Sequence, residues 1–281
     1  MNSIRKEVLG HKIKSYEKQL KNEELSPRSV KKYLGDISRF MEYLSRQQIE
    51  EINEFVLEEY RNYQEERCSK KSCNSYFISL NKFFRYADAA FLNIKLYQVS
   101  PKLSLENVLT LEEYRRLLHF TDNEKYYRCH LIMKTLGCTG IRIGELQFIT
   151  YETLLEKKVE VTAKRKTRIV YFSEEIYTKL MEYCNHEHIK TGIIFRTKTG
   201  RPLDTGNIWR SLKVIAARAG VDEAKVYPHS FRHLFAKTYI EKFQALDELA
   251  DILGHTSIET TRIYTRTTGE EKRERLNLLG L

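Results

Sequence analysis

Apolar side chains recur at helical spacing through most of this sequence, and only around 157–172 do short β-branched runs take over. That contrast restricts the chain to a mainly helical fold carrying one small sheet. The plainest segment is "SPRSVKKYLGDISRFMEYLSRQ", where Val30, Tyr33, Leu34, Ile37, Phe40, Met41 and Leu44 form one stripe. Ser26 suits its N-cap and Pro27 its first helical position. Further helices expected at 4–22, 51–66 and 73–90 complete a four-helix N-terminal bundle. In the last of these, Tyr76, Phe77, Phe83 and Phe84 could stack on bases, but their helical period assigns them to the bundle core.

Residues 91–108, "FLNIKLYQVSPKLSLENV", lack that period and read as a link between domains. The expected organisation is a helical domain over 1–92, a linker over 93–108, and a second domain over 109–281 with a tail from 268. The second domain opens on "TLEEYRRLLHF", in which Thr110 and Glu113 have capping-box spacing, and a buried helix is expected near 124–138. "KKVEVTA" and "RIVYF" flank the polar "KRKT" as a hairpin, and "GIIFRT" (192–197) is a candidate third strand. Helices resume after Asp204.

Lysines and arginines exceed acidic residues enough to give a net charge of +10. That balance points to a polyanion, nucleic acid ahead of membrane because no long basic amphipathic segment is visible. No apolar run reaches the ~18–20 residues of a membrane span. The charged start "MNSIRKEVLGHKIKSYEKQL" is unlike a signal peptide, and the five scattered cysteines suit reduced thiols, so a cytoplasmic location is expected. "CNHEH" (184–188) offers metal-binding residue types, but helical spacing turns His186 away from Cys184 and His188, so no metal site is expected. Phosphate-loop and dinucleotide glycine patterns are absent from the sequence, and no cofactor is expected.

Three stretches carry candidate chemistry. In "YPHSFRHLFA" (227–236), Pro228 suits a helix start, and His229, Arg232 and His233 then share a face. That face is either solvated or set against an anion. In "TGIRIGELQFI" (139–149), Arg142 sits among apolar residues, where it needs an ion pair with Glu145 or a ligand anion. In "LGHTSIETTRIYTRTT" (253–268), Gly254 suits a helix stop, His255 lies in the break, and Tyr264 follows on a new helix near Arg262 and Arg266. Taken alone, Tyr264 is one of 18 tyrosines, suited to packing its ring in the core with the hydroxyl at the surface.

Arg142, the basic hairpin, His229-x-x-Arg232-His233, Leu253-Gly254-His255 and Tyr264 occur in an order that resembles the tyrosine recombinase (phage integrase) family. The compact Xer-like members are most similar. The resemblance implies a helical core-binding domain of SAM-like type followed by a catalytic domain. It implies that Arg142 and Arg232 bracket a scissile phosphate, that Lys164 is the hairpin lysine, that His229 and His255 complete the pocket, and that Tyr264 is the nucleophile. His233 and Glu145 are supporting residues. The family's hairpin is often longer and glycine-rich, whereas this one reads "AKRKTR", so Lys166 remains an alternative to Lys164 as general acid.

Tyrosine attack on a DNA phosphodiester would leave a 3′-phosphotyrosine and a free 5′-hydroxyl, keeping the bond energy without ATP. Two guanidinium forks suit the charge that gathers on the nonbridging oxygens. A flexible lysine can protonate the leaving oxygen, and His229 can accept the tyrosine proton. The expected activity is therefore site-specific recombination of duplex DNA by a synaptic homo-tetramer, through a Holliday junction, with accessory proteins as candidate partners and no membrane. The alternatives are a type IB topoisomerase-like relaxation of DNA and a non-catalytic DNA-binding regulator. Tail leucines Leu276, Leu278, Leu279 and Leu281 suit docking on a neighbouring copy or on the chain's own core.

Overall fold

Side-chain caps written into the sequence start several of the helices, and a burst of aromatic side chains closes the first core. The computed structural model describes residues 2–99, 108–163, 166–255, 257–265 and 277–278, with the backbone alone at 163 and 166. The chain divides into two compact units, Met1–Pro101 and Lys102–Leu281.

In the first unit, strand β1 (Ile4–Arg5) precedes helices α1 (Lys6–Asn22) and α2 (Pro27–Arg46); β2 (Glu51–Ile52) precedes α3 (Glu54–Glu65) and α4 (Lys70–Tyr86). The Ser26 hydroxyl accepts the Ser29 amide at 3.1 Å, with Pro27 opening α2. Asn53 and Ser69 cap α3 and α4 in the same way. β1 pairs antiparallel with β2, Ile4 opposite Ile52, so the first helix starts at Lys6 and not at residue 4. Phe77, Phe83 and Phe84 are fully buried with Phe40 and Tyr60, and Phe40 meets Tyr60 edge-on at 4.8 Å. The phenylalanines of the α4 stripe are core, and Tyr76 packs partly buried against them.

The expected linker begins later than the sequence suggests. Asn81 hydrogen-bonds both backbone groups of Ile94, and Asn74 both of Tyr97, each at 2.8–2.9 Å. These side-chain amides mimic strand pairing and hold that extended stretch on α4, with Leu92 and Ile94 buried. Residues 100–107 lie outside the described residues.

The second unit comprises α5 (Leu111–Thr121), α6 (Tyr127–Thr139), α7 (Tyr151–Leu155), the hairpin β3 (Lys158–Ala163) and β4 (Lys166–Tyr171), α8 (Glu174–His186), α9 (Thr205–Arg218), α10 (Pro228–Phe243), α11 (Leu246–Leu253) and α12 (Ile258–Thr261). The Thr110–Glu113 capping box forms, with hydrogen bonds of 3.1 and 2.9 Å. Leu131, Ile132, Met133 and Leu136 bury α6 at the centre, where α10 packs against it. In the hairpin, Val159 faces Val170 and Val161 faces Arg168.

Residues 192–197 do not add a third strand to this hairpin. The Ile194 amide donates to the Ile149 carbonyl at 3.1 Å, and the segment makes only single bridges, Thr150 to Ile193 and Arg196 to Pro202. Burial of Ile194 and Phe195 ties it to the turn before α7 instead of the hairpin edge. "IGELQF" forms a 3₁₀ turn, Ile143–Phe148. The expected tail lies outside the described residues apart from 277–278, where Leu278 is exposed. Among the described residues no helix is long and apolar enough to cross a membrane.

Candidate active site

Three arginines from three elements meet at one helix end. α11 stops at Gly254, which takes a left-handed conformation with φ 63°. The last carbonyls of a helix lack internal partners and carry its negative dipole end, so they attract cations. Arg168 of β4 donates through Nε to the Ile252 carbonyl at 3.0 Å. Arg232 donates through Nη2 to the Leu253 carbonyl, which Arg142 also approaches at 3.4 Å. Gly254 is required for this convergence in a second way. A Cβ there would come within 2.7 Å of Arg168 Cδ.

Glu145 sits among these cations. Arg168 grips its carboxylate with two bonds, 3.0 and 2.6 Å, and Arg142 adds a third at 2.9 Å. The Arg142 amide donates to the same carboxylate at 2.8 Å, which fixes the 3₁₀ turn that carries both residues. Burial pushes the Glu145 carboxyl up, but the hydrogen bonds from Arg168 and Arg142 outweigh it and hold the group below its ordinary value. The ion pair expected from the sequence therefore forms, and it forms inside the candidate site. Two guanidinium groups share this one carboxylate, and the third, Arg232, hydrogen-bonds to backbone carbonyls near His255, so the cluster carries surplus positive charge suited to an anion.

Arg232 lies on α10, whose first helical residue is Pro228, and is 3% exposed. Its Nη1 donates to the Gly140 carbonyl at 2.6 Å. Gly140 ends α6 in the left-handed region, where a Cβ would strike Phe235 at 2.6 Å. Burial, then Arg142 and Arg168 nearby, brings the Arg232 guanidinium down to about 9. Its Nη2 also lies 3.4 Å from His255 Nε2, and His255 Nδ1 lies 2.8 Å from the Thr261 hydroxyl. A guanidinium only donates, so that contact assigns Nε2 of His255 as acceptor and leaves its proton on Nδ1. Burial, followed by the charge of Arg232, lowers His255 to about 4.

Tyr264 follows α12 on a 3₁₀ turn and is 8% exposed, packed with Ala236, Leu249 and Leu253. Burial raises its phenol to about 12, with Arg232 and Arg142 opposing. Its hydroxyl lies 2.9 Å from His233 Nδ1. His229, the residue expected to take the tyrosine proton, makes no hydrogen bond to that hydroxyl among the described residues; its ring centroid is 6.5 Å from that of His233. Burial and then Arg232 lower His229, while burial and then His229 lower His233 to about 4. Lys164 lies outside the described residues, and Lys166 opens β4 opposite Ala163.

The structure thus brings together Arg142, Glu145, His229, Arg232, His233, His255 and Tyr264. Sequence reasoning missed Arg168 and Thr261. Arg168 had a signal, since it alternates with Val170 on the inward face of β4, an unusual place for a charge without a partner. Among the described residues no cluster of histidine, cysteine, aspartate and glutamate could hold a metal ion.

Residues 107–271 match the phage integrase family, and residues 13–90 match the phage integrase N-terminal SAM-like domain. Tyrosine recombinase XerD of Staphylococcus haemolyticus (strain JCSC1435) is 27% identical over 277 residues, covering 90% of this chain and 92% of the relative. Tyrosine recombinase XerA of Pyrococcus furiosus is 30% identical over 224 residues, covering 75% and 76%. The XerH site-specific recombinase, solved with palindromic difH substrate in a post-cleavage complex, shares the fold with a TM-score of 0.76 at 22% identity, covering 96% of this chain and 85% of that one.

Proposed function

The chain belongs to the phage integrase family, and on that premise we propose how its residues carry out the chemistry of a tyrosine site-specific recombinase. The activity is cutting and rejoining of DNA at a recombination site. Tyr264 attacks the phosphorus of one strand, forming a 3′-phosphotyrosine and releasing a 5′-hydroxyl end. Arg142 and Arg232 hold the nonbridging oxygens and stabilise the charge that grows on them. Arg168 and Glu145 hold Arg142 in place. His255, neutral and fixed by Thr261, adds a polar wall beside Arg232. A lysine of the hairpin turn, Lys164 or Lys166, protonates the leaving 5′-oxygen. Attack by a new 5′-hydroxyl reverses the steps and reseals the strand.

One observation carries this reading: two guanidinium groups share a single carboxylate, and a third is buried at the same helix end, beside a buried tyrosine whose hydroxyl is held by an imidazole. Such a surplus of buried positive charge is costly unless an anion completes it.

Exchange between two duplexes requires four strands to be cut, and one nucleophile per chain therefore calls for four copies. The working form is a homo-tetramer on two synapsed duplexes, passing through a Holliday junction. The +10 net charge supports phosphate contacts as the main source of affinity, with strong dependence on salt.

A nicked suicide substrate, which lets the cut strand diffuse away, traps the covalent species for peptide mapping. The adduct should map to Tyr264. Tyr264→Phe keeps the ring and its packing, so it should fold and bind the site while forming no adduct. An adduct on another tyrosine, or in the Phe variant, would overturn the assignment.

A further inference from the structure

A tyrosine that attacks phosphorus must lose a proton, and the lysine that serves the leaving oxygen cannot also receive it. The Tyr264 hydroxyl makes one hydrogen bond among the described residues, to Nδ1 of His233 at 2.9 Å. The two rings are 5.6 Å apart at their centroids and inclined by 51°, so the bond lies at the edge of the imidazole. His233 is held by α10, the helix that also supplies Arg232 and is anchored to Gly140 through it. The acceptor and the arginine that grips the phosphate are thus adjacent residues on one rigid turn.

Taking Tyr264 as the nucleophile, we propose that His233 is the proton acceptor of the cleavage step. In the resting protein the phenol donates to an unprotonated Nδ1, which places the imidazole proton on Nε2. As the Tyr264 oxygen bonds to phosphorus, its proton passes to Nδ1 and the ring becomes imidazolium. The bond from phosphorus to the 5′-oxygen breaks with its electron pair on oxygen, and the hairpin lysine protonates that oxygen. On resealing, the phenol oxygen leaves phosphorus and recovers its proton from Nδ1.

Electrostatics makes this acceptor conditional on substrate. Without DNA, burial together with His229 and Arg232 holds the ring at about 4, while burial keeps the phenol at about 12. That gap keeps the proton on tyrosine and prevents an idle tyrosinate. A phosphodiester between Arg142 and Arg232 brings negative charge into the same pocket, and more gathers during attack. Its field favours imidazolium and offsets the arginines. His229 makes no hydrogen bond to the hydroxyl among the described residues, and its neighbourhood is set by burial and then by Arg232 and Arg142.

The test uses the full-length chain, a nicked suicide substrate and His233→Ala. Adduct formation on Tyr264 should slow by about 100-fold, the lower range for loss of a general base, with site affinity unchanged. Imidazole added to the buffer should restore the rate at least tenfold, in proportion to its unprotonated fraction, which a purely structural defect would not allow. A substrate with sulfur at the 5′-bridging position needs no proton on its leaving group, and it should leave the defect in place. His233→Asn, which keeps a polar side chain in case the alanine variant folds poorly, should be as slow because an amide cannot take the proton. A wild-type rate in either variant overturns the proposal, as does a slow alanine variant that is deaf to imidazole or is rescued by the sulfur substrate. Those outcomes leave Tyr264 in place as nucleophile; an adduct on another tyrosine in the unmodified protein removes both assignments.

Discussion

Both units bury a carboxylate among cations, and they do so to different ends. In the N-terminal unit Asp36 is 3% exposed and accepts from Lys32 and from Ser79, each at 2.7 Å, with Arg39 at 3.5 Å. Lys32 and Arg39 are themselves about half exposed, so water solvates much of their charge. This cluster stitches α2 to α4 through Ser79. In the C-terminal unit Glu145 is gripped by Arg168, which is as buried as the carboxylate, and by Arg142. Arg232 stands close by, buried as well. The first arrangement satisfies a buried acid. The second uses the acid to hold cations near one another, an arrangement suited to the anionic substrate proposed above.

The sharpest way to break that contrast is at Arg232. Arg232→Lys keeps a charge but gives up the fork that reaches both Gly140 and Leu253, and it should slow adduct formation by roughly 10²–10³-fold. Suicide-substrate kinetics at saturating protein would measure it. A variant within threefold of the parent would remove Arg232 from the chemistry.

Next in size is the paired comparison of Glu145→Gln with Asp36→Asn. The first leaves Arg168 buried with no balancing charge and should cost about 3 kcal/mol, as removal of one partner of a buried pair does. It should also slow cleavage, because Arg142 loses its anchor. The second retains shape and one hydrogen bond from Ser79, and should cost about 1 kcal/mol with cleavage unchanged. Urea unfolding and adduct kinetics on both proteins would decide; equal effects on cleavage would erase the difference between the clusters.

The last comparison concerns acid. His233 and His255 stand near 4 in the folded chain, below the ordinary value of 6.5. Between those values only the unfolded chain takes up the protons, so stability is full above about pH 6.5 and is lost as pH falls toward 4. The slope is at most about 1.4 kcal/mol per pH unit for each histidine. The N-terminal unit holds only His11, which is exposed, so acid should weaken the C-terminal unit first. The single tryptophan, Trp209, lies in that unit, and its fluorescence in thermal melts from pH 7 to 4.5 reports it separately. A transition that does not move with pH would contradict the buried, neutral state of the two rings.

What was legible in the sequence is what depends on near neighbours. The cap at Ser26, the box at Thr110 and Glu113, the helix start at Pro228 and the Arg142–Glu145 pair all span three residues or fewer. The existence of the hairpin followed from its β-branched runs. Arg168 reaches Glu145 across 23 residues, and His233 reaches Tyr264 across 31, so both depend on how separate elements fold back. The edge at 192–197 was misread for a related reason. Its β-branched run matches a strand, but its carbonyl and amide partners come from Ile149 and Tyr151. Clustering of His229 and His233 on one face was readable; which of them meets the tyrosine was not, because that is decided by the path of α11 and α12.

The end of α11 has a consequence for how such a site can be inherited. Its contribution to holding Arg142, Arg168 and Arg232 comes from the carbonyls of Ile252 and Leu253, and every amino acid brings the same carbonyl. Substitutions at 252 and 253 that still fit the surrounding core therefore pass through without altering what the arginines touch. Gly254 is the reverse. It bears no functional group, yet any side chain there collides with Arg168 and strains a left-handed backbone. In a drifting lineage the part of this scaffold most exposed to loss is the residue with the least chemistry.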